Sequence, residues 1–193
     1  MKKIILTLSL ILGMGMIGNS AFAQYSVRVG INSAKLVDDT VDFSSKTGFS
    51  IGASWERLLS ASQPVFVEVG AMFTQKGATI KAEGAKVTLD VSYLQIPAVV
   101  KYKHAMSPDL TIVPSAGAFF GYGLNGKIKF GGESENLFSN DSEFNRTDFG
   151  IRFGIEFEYK NNILIGGGYE LGLVDLAEET TSRNLFVSVG YRF

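Results

Sequence analysis

The chain has 193 residues, a formal net charge of −1, no cysteine and a single histidine, with 22 glycines and only 4 prolines. That composition excludes disulfides and thiol-ligated metals. The charge is too mild for a nucleic-acid binder, which needs a basic patch.

The first residues read as an export signal. Lys2 and Lys3 precede an apolar run over 4–17, and Ala21-Phe22-Ala23 is a small-x-small cleavage motif. The run is short for a membrane-spanning helix, and no stop-transfer pattern follows. The expected organisation is a signal peptide over 1–23, cleaved before Gln24, and one domain over 24–193. Without Lys2 and Lys3 the formal charge becomes −3. No later apolar run approaches helix-spanning length. An exported chain of this kind enters a membrane only as a closed barrel, because only helices and closed barrels satisfy every backbone group in lipid.

In chain order, period-2 alternation marks a strand over 25–32, with Tyr25, Val27, Val29 and Ile31 opposing Ser26, Arg28, Gly30 and Asn32. After a polar loop containing Asp38, Asp39 and Asp42, it resumes over 47–56, with Phe49, Ile51, Ala53 and Trp55 on one side and Glu56 on the other. A turn near Pro64 leads to a strand over 65–74 that places Glu68 among its alternate residues. Residues 75–90 read as a longer, partly alternating connection with a hairpin tip at Glu83-Gly84. A strand over 92–103 follows, with Leu94, Ile96, Ala98, Val100 and Tyr102 opposing Tyr93, Gln95, Pro97, Lys101 and Lys103.

A turn over 104–109 precedes residues 110–122, which are apolar on both faces. The longest connection, 123–146, is rich in Gly, Asn, Ser and acids. The clearest strand is 147–159, where Phe149, Ile151, Phe153, Ile155, Phe157 and Tyr159 oppose Asp148, Arg152, Glu156, Glu158 and glycines. A tight turn at Lys160-Asn161-Asn162 leads to 163–172, which carries Glu170. After a polar loop, 184–193 alternates Leu185, Val187, Val189, Tyr191 and Phe193 with Ser188, Gly190 and Arg192.

These strands are eight in number, each near the roughly 9–11 residues that cross a bilayer at a tilt. Connections alternate long and short. The expected fold is therefore all-β, an eight-stranded antiparallel up-and-down transmembrane β-barrel with short periplasmic turns and longer extracellular loops. Aromatics fall at strand ends: Tyr25, Trp55, Tyr102, Tyr159, Tyr191 and Phe193 form an expected periplasmic girdle, and Phe49, Phe73, Phe120, Tyr122, Phe149 and Tyr169 an opposite one.

Charge decides inside from outside. Arg28, Glu56, Glu68, Lys101, Lys103, Arg152, Glu156, Glu158, Glu170 and Arg192 all fall on the face opposite the aromatic row. A basic residue at mid-depth on the lipid face costs roughly 2–4 kcal/mol, so this face is assigned to the lumen. Five positive and five negative residues imply a lumen of crossed ion pairs, with inward glycines making room and no open pore.

No catalytic, cofactor or metal site is expected. Gly48-Phe-Ser50-Ile-Gly52 matches a nucleophile-elbow pattern but sits inside a strand, far from His104. Gly121-x-Gly123-x-x-Gly126, like Gly13-x-Gly15-x-x-Gly18 in the leader, belongs to no βαβ unit. A lone histidine without partners makes a poor metal site. The inward acids could form an acid/base pair, but structural ion pairing is the commoner role.

Tyr93-Leu-Gln-Ile-Pro97 with Lys101-Tyr102, Thr74-Gln-Lys-Gly77, Tyr169-Glu-Leu-Gly-Leu173 with Asp175, and Val189-Gly-Tyr-Arg-Phe193 resemble motifs of the PorT-like outer-membrane β-barrel family. The resemblance spans the mature chain. It implies an eight-stranded, porin-like barrel in the bacterial outer membrane and no catalytic residues; Gln95 stands where that family more usually has Glu. It also implies that the terminal aromatic strand is what the outer-membrane assembly machinery recognises. The expected partners are outer-membrane lipid, lipopolysaccharide and that machinery, with no nucleic acid and a monomeric state. The expected role is structural, adhesive or surface-interacting, carried by loops 34–46, 75–90, 123–146 and 173–183. The alternatives are an outer-membrane lipid-modifying enzyme and a soluble exported barrel holding a small apolar ligand.

Overall fold

Alternating residues with small or polar side chains on one face and apolar ones on the other favour antiparallel strands that close on themselves. The computed structural model describes residues 23–37, 43–60, 62–82, 85–130, 133–138, 144–176 and 180–193. Its strands are β1 (Ala23–Val37), β2 (Phe43–Leu58), β3 (Val65–Ala82), β4 (Ala85–Tyr102), β5 (His104–Ser107), β6 (Leu110–Phe130), β7 (Glu133–Asn136), β8 (Thr147–Tyr159), β9 (Ile163–Gly172) and β10 (Thr181–Arg192).

Eight of these make the wall, in the order β4-β3-β2-β1-β10-β9-β8-β6, and β4 pairs with β6 to close the ring. Every pairing is antiparallel. At the seam, Val29 faces Val189 and Val27 faces Tyr191, and the Phe193 amide continues the ladder to the Tyr25 carbonyl at 2.9 Å. The two short strands β5 and β7 flank β6 at opposite ends. The end that holds Ala23 and Phe193 is called the base here, the opposite end the rim.

The strands run longer than the alternation alone predicts. Residues 75–90 are not a loop: β3 and β4 continue as a paired hairpin to Ala82 opposite Ala85. Likewise β6 runs on to Phe130, paired with β4 through Val87 and with β7 through Glu133. The polar, glycine-containing composition of these segments signals solvent. Solvent does not forbid a ladder, because each strand still has a partner for its N–H and C=O groups. The Glu83-Gly84 tip, the leader and the Asp38–Asp42 stretch lie outside the described residues.

Side chains sort by face. Val29, Ile51, Phe153, Ile155, Ile165, Val187 and Val189 are each about half exposed around the outer wall. Inside are buried polar residues and a few apolar ones, among them Val113, Phe119 and Leu164. This resolves the two-faced pattern of 110–122: Phe120 points outward, whereas Val113 and Phe119 fill the lumen. An apolar exterior around a charged interior is the reverse of a soluble ligand-binding barrel.

Candidate functional site: the charged lumen and its cap

Inward alternation on eight strands brings charges from distant parts of the chain into one narrow interior, where they are held in two clusters. Near the base, Arg28 Nε lies 2.9 Å from Glu156 and its Nη2 2.9 Å from Glu68. Its Nη1 donates to the Ser26 and Ser54 hydroxyls at 2.8 and 2.5 Å. Lys101 Nζ reaches Glu156 at 2.8 Å, Glu68 at 2.9 Å and Glu56 at 3.1 Å. Arg192 Nη1 donates to Glu158 at 2.6 Å and its Nη2 lies 3.5 Å from Glu56. Lys103 bridges Glu56 and Glu158. Four cations thus face four carboxylates, and the cluster is neutral.

Nearer the rim, Lys76 Nζ lies 3.1 Å from Asp148 and 3.2 Å from Glu170. Arg152 also pairs with Glu170. Gln95 Nε2 and Asn184 Nδ2 donate to the same carboxylate at 2.6 and 2.9 Å, and Ser182 donates to Asp148 at 3.0 Å. The Lys76 ammonium sits 4.5 Å over the Phe119 ring and the Arg152 guanidinium 3.7 Å over Phe186. Two cations meet two carboxylates, so this cluster is neutral too. Burial of such pairs is tolerable because most of the surrounding polar atoms are also hydrogen-bonded; Gln95 Oε1 and Asn184 Oδ1, beside Glu170, are buried without a partner. A cavity of about 50 Å³ separates the clusters.

Apolar residues close the rim. Phe138 packs with Val91 and Tyr93, and Leu89, Leu137 and Phe144 join them. Arg146 ties this cap down, donating to the Phe138 carbonyl at 2.8 Å with its guanidinium 4.7 Å over the Phe138 ring. The Asn145 amide donates to the Leu176 carbonyl at 2.7 Å, joining the loop after β7 to the loop after β9. A Cβ at Gly123 would collide with the Phe138 ring, so glycine there lets the cap seat.

Of the charged residues singled out in the sequence, Arg28, Glu56, Glu68, Lys101, Lys103, Glu156, Glu158 and Arg192 meet in the base cluster, and Arg152 and Glu170 in the rim cluster. Arg192 pairs with Glu158 and Glu56 but not with Glu68. Lys76, Asp148 and the cap were not singled out. Continuing the alternation Glu68, Gly70, Met72, Thr74 by one more step reaches Lys76. The cap residues are lone apolar side chains in a polar stretch and carry no period.

At the base, Tyr25 and Trp55 are cross-strand partners. Tyr102, Tyr159, Tyr191 and Phe193 are exposed there, with the Tyr191 and Phe193 rings edge-on at 5.3 Å. Ser50 is buried on the rim half of β2, opposite Thr74, whereas exposed His104 lies on β5 at the base, so the elbow motif gains no base. Among the described residues no group of three acids or histidines converges as a metal site would.

The model of the outer membrane protein beta-barrel domain family matches residues 18–178. The chain belongs to this family. It is accordingly a bacterial outer-membrane barrel, with the apolar outer wall in lipid. Two solved structures share the fold. The attachment invasion locus protein Ail of Yersinia pestis is 16% identical, with 89% of this chain and 99% of that one covered and a TM-score of 0.51. Neisserial surface protein A is 18% identical, with 88% and 97% covered and a TM-score of 0.52. No curated protein matches the chain in sequence.

Proposed function

We propose that this family member is a closed, non-enzymatic outer-membrane barrel that holds its rim loops at the cell surface for a structural or adhesive interaction. The observation that carries this reading is the filled lumen. Two neutral ion-pair clusters and an apolar cap stand in series along it, and the cavity between them is only about 50 Å³. A barrel so occupied offers solutes no continuous path, so its useful surface is the rim.

In this reading the base faces the periplasm and the rim the exterior. The leader is removed before Gln24, the barrel is a monomer, and the PorT-like motifs mark its closer kinship. Its lipid partners, lipopolysaccharide among them, surround the exposed apolar rows, and its β10 terminus is the handle for the assembly machinery. The solved barrels that share its fold include one titled as an attachment invasion locus protein and one as a surface protein; those titles agree with a surface role.

Protease added to intact cells tests the orientation and the role together. Cleavage within 123–146, with the base turns protected, is expected. Cleavage confined to the base turns after permeabilisation would overturn the reading. Recovery of the mature protein in a detergent-free soluble fraction would overturn it as well.

A further inference from the structure

The mid-lumen cavity is bordered by donors that no protein group takes. Arg152 borders it, and its Nη1 is taken by Glu170. Its Nε and Nη2, the side-on fork of the guanidinium, have no protein partner among the described residues, while the Phe186 ring at 3.7 Å holds the guanidinium plane from beneath. Glu170 engages Nη1 alone and has nothing left for the rest of the fork, because it also accepts Lys76, Gln95 and Asn184. A carboxylate has about four lone-pair sites, and these are used.

The carboxylates bordering the cavity, Glu68 and Glu156, are engaged by Arg28 and Lys101. Three cations and two carboxylates line the cavity, and Glu170, paired with Arg152 from behind, brings the surroundings to neutrality. The Ser188 hydroxyl also lines it, without a protein partner among the described residues. Space of about 50 Å³ exceeds what a single water needs and is too small for a drug-sized ligand.

We infer that this cavity is a binding site for one small monovalent anion, of halide or formate size, held by the free Nε/Nη2 fork of Arg152 with Ser188 beside it. A guanidinium fork pre-set on an aromatic ring loses little freedom on binding an anion. A cation placed at that fork would face the Arg152 charge directly, whereas an anion takes both of its free N–H groups. The site depends on the lumen alone and not on which partner the rim meets.

The test is diffraction from crystals of the mature barrel, refolded in detergent with bromide, at the bromine absorption edge. An anomalous peak within contact of the Arg152 fork is expected. Arg152→Met, which leaves Glu170 with Lys76, Gln95 and Asn184, should lower its occupancy by about tenfold or more, the worth of one charge-assisted bond. Arg152→Lys should retain part of it. Water alone at the position in bromide, or an undiminished peak in Arg152→Met, would overturn the inference. Should Arg152→Met not fold, bromide NMR relaxation of the wild-type barrel decides: saturable broadening reversed by chloride is expected, and non-saturable broadening would overturn the inference.

Discussion

Glu170 shows what a single residue costs and contributes here. It is almost fully buried and accepts from Lys76, Arg152, Gln95 and Asn184. The Gln95 amide at 2.6 Å is matched to a charged acceptor. Gln95→Glu would set a second carboxylate against the first and replace a donor with an acceptor. It should lower stability by about 1–3 kcal/mol, the penalty for a buried unsatisfied polar group, and Glu170→Gln in the same chain should restore part of the loss. Urea unfolding of the refolded barrel in lipid measures both, and a Gln95→Glu variant as stable as wild type would contradict the assignment. Removing a base-cluster carboxylate is costlier. Glu156→Ala leaves Arg28 and Lys101 short of a partner and should cost about 3–5 kcal/mol. By contrast, the pair of Lys129 with Asp90 at 3.0 Å lies in the strand extensions toward the rim with its lysine exposed, and Asp90 also meets Lys46, so Lys129→Gln should cost no more than about 1 kcal/mol.

At the scale of elements, the β8–β9 hairpin turns through Lys160 and Asn161, whose φ values are 50° and 63°. Positive φ at both central positions is a type I′ turn, for which Asn-Gly is the preferred pair. Lys160→Asn with Asn161→Gly should therefore raise stability by about 0.5–1 kcal/mol, the relief of left-handed strain less the entropic cost of glycine. An unchanged urea midpoint would show that the turn is not strained. That hairpin was fully legible in the sequence: 147–159 and 163–172 are the strands as built, because Phe and Ile alternate with glycine and charge without interruption in the first and only Leu164 and Gly167 break the pattern in the second. Elsewhere the alternation fades before the strand does. Beyond 76 in β3 and 122 in β6, no unbroken apolar row faces lipid, so the ladder continues with little sequence signature. The cap was illegible for the opposite reason: Phe138 and Phe144 meet Val91 and Tyr93 only through tertiary folding of a loop onto a distant strand. At the seam, Gly190 makes room for the Arg28 side chain, whose Cγ would lie 2.7 Å from a Cβ there. Phe193 adds one seam hydrogen bond, to Tyr25. Deleting it should cost the finished barrel about 1 kcal/mol while impairing membrane insertion much more. Normal insertion in cells would show that the terminal aromatic is not the handle.

For the whole molecule, the governing quantity is how the lumen is blocked. An eight-stranded wall encloses a space just wide enough for side chains to fill, and here the filling is in series: a cap at the rim, a neutral cluster, the cavity, and a second neutral cluster at the base. Blocks in series are not additive for conduction, because any one of them stops it. The intact barrel in a planar bilayer should show no steady nanosiemens-scale current. Opening the cap alone, with Phe138→Ser and Phe144→Ser, should leave it closed, since the base cluster still spans the bore with hydrogen-bonded pairs. Removing Lys101 and Glu156 together, each to serine, should also leave it closed while the cap stands; the paired deletion keeps the cluster neutral and avoids a stranded charge. Only the four substitutions combined should give discrete openings. A steady current in either double variant would place the whole barrier in one layer and remove the argument that this barrel is plugged twice.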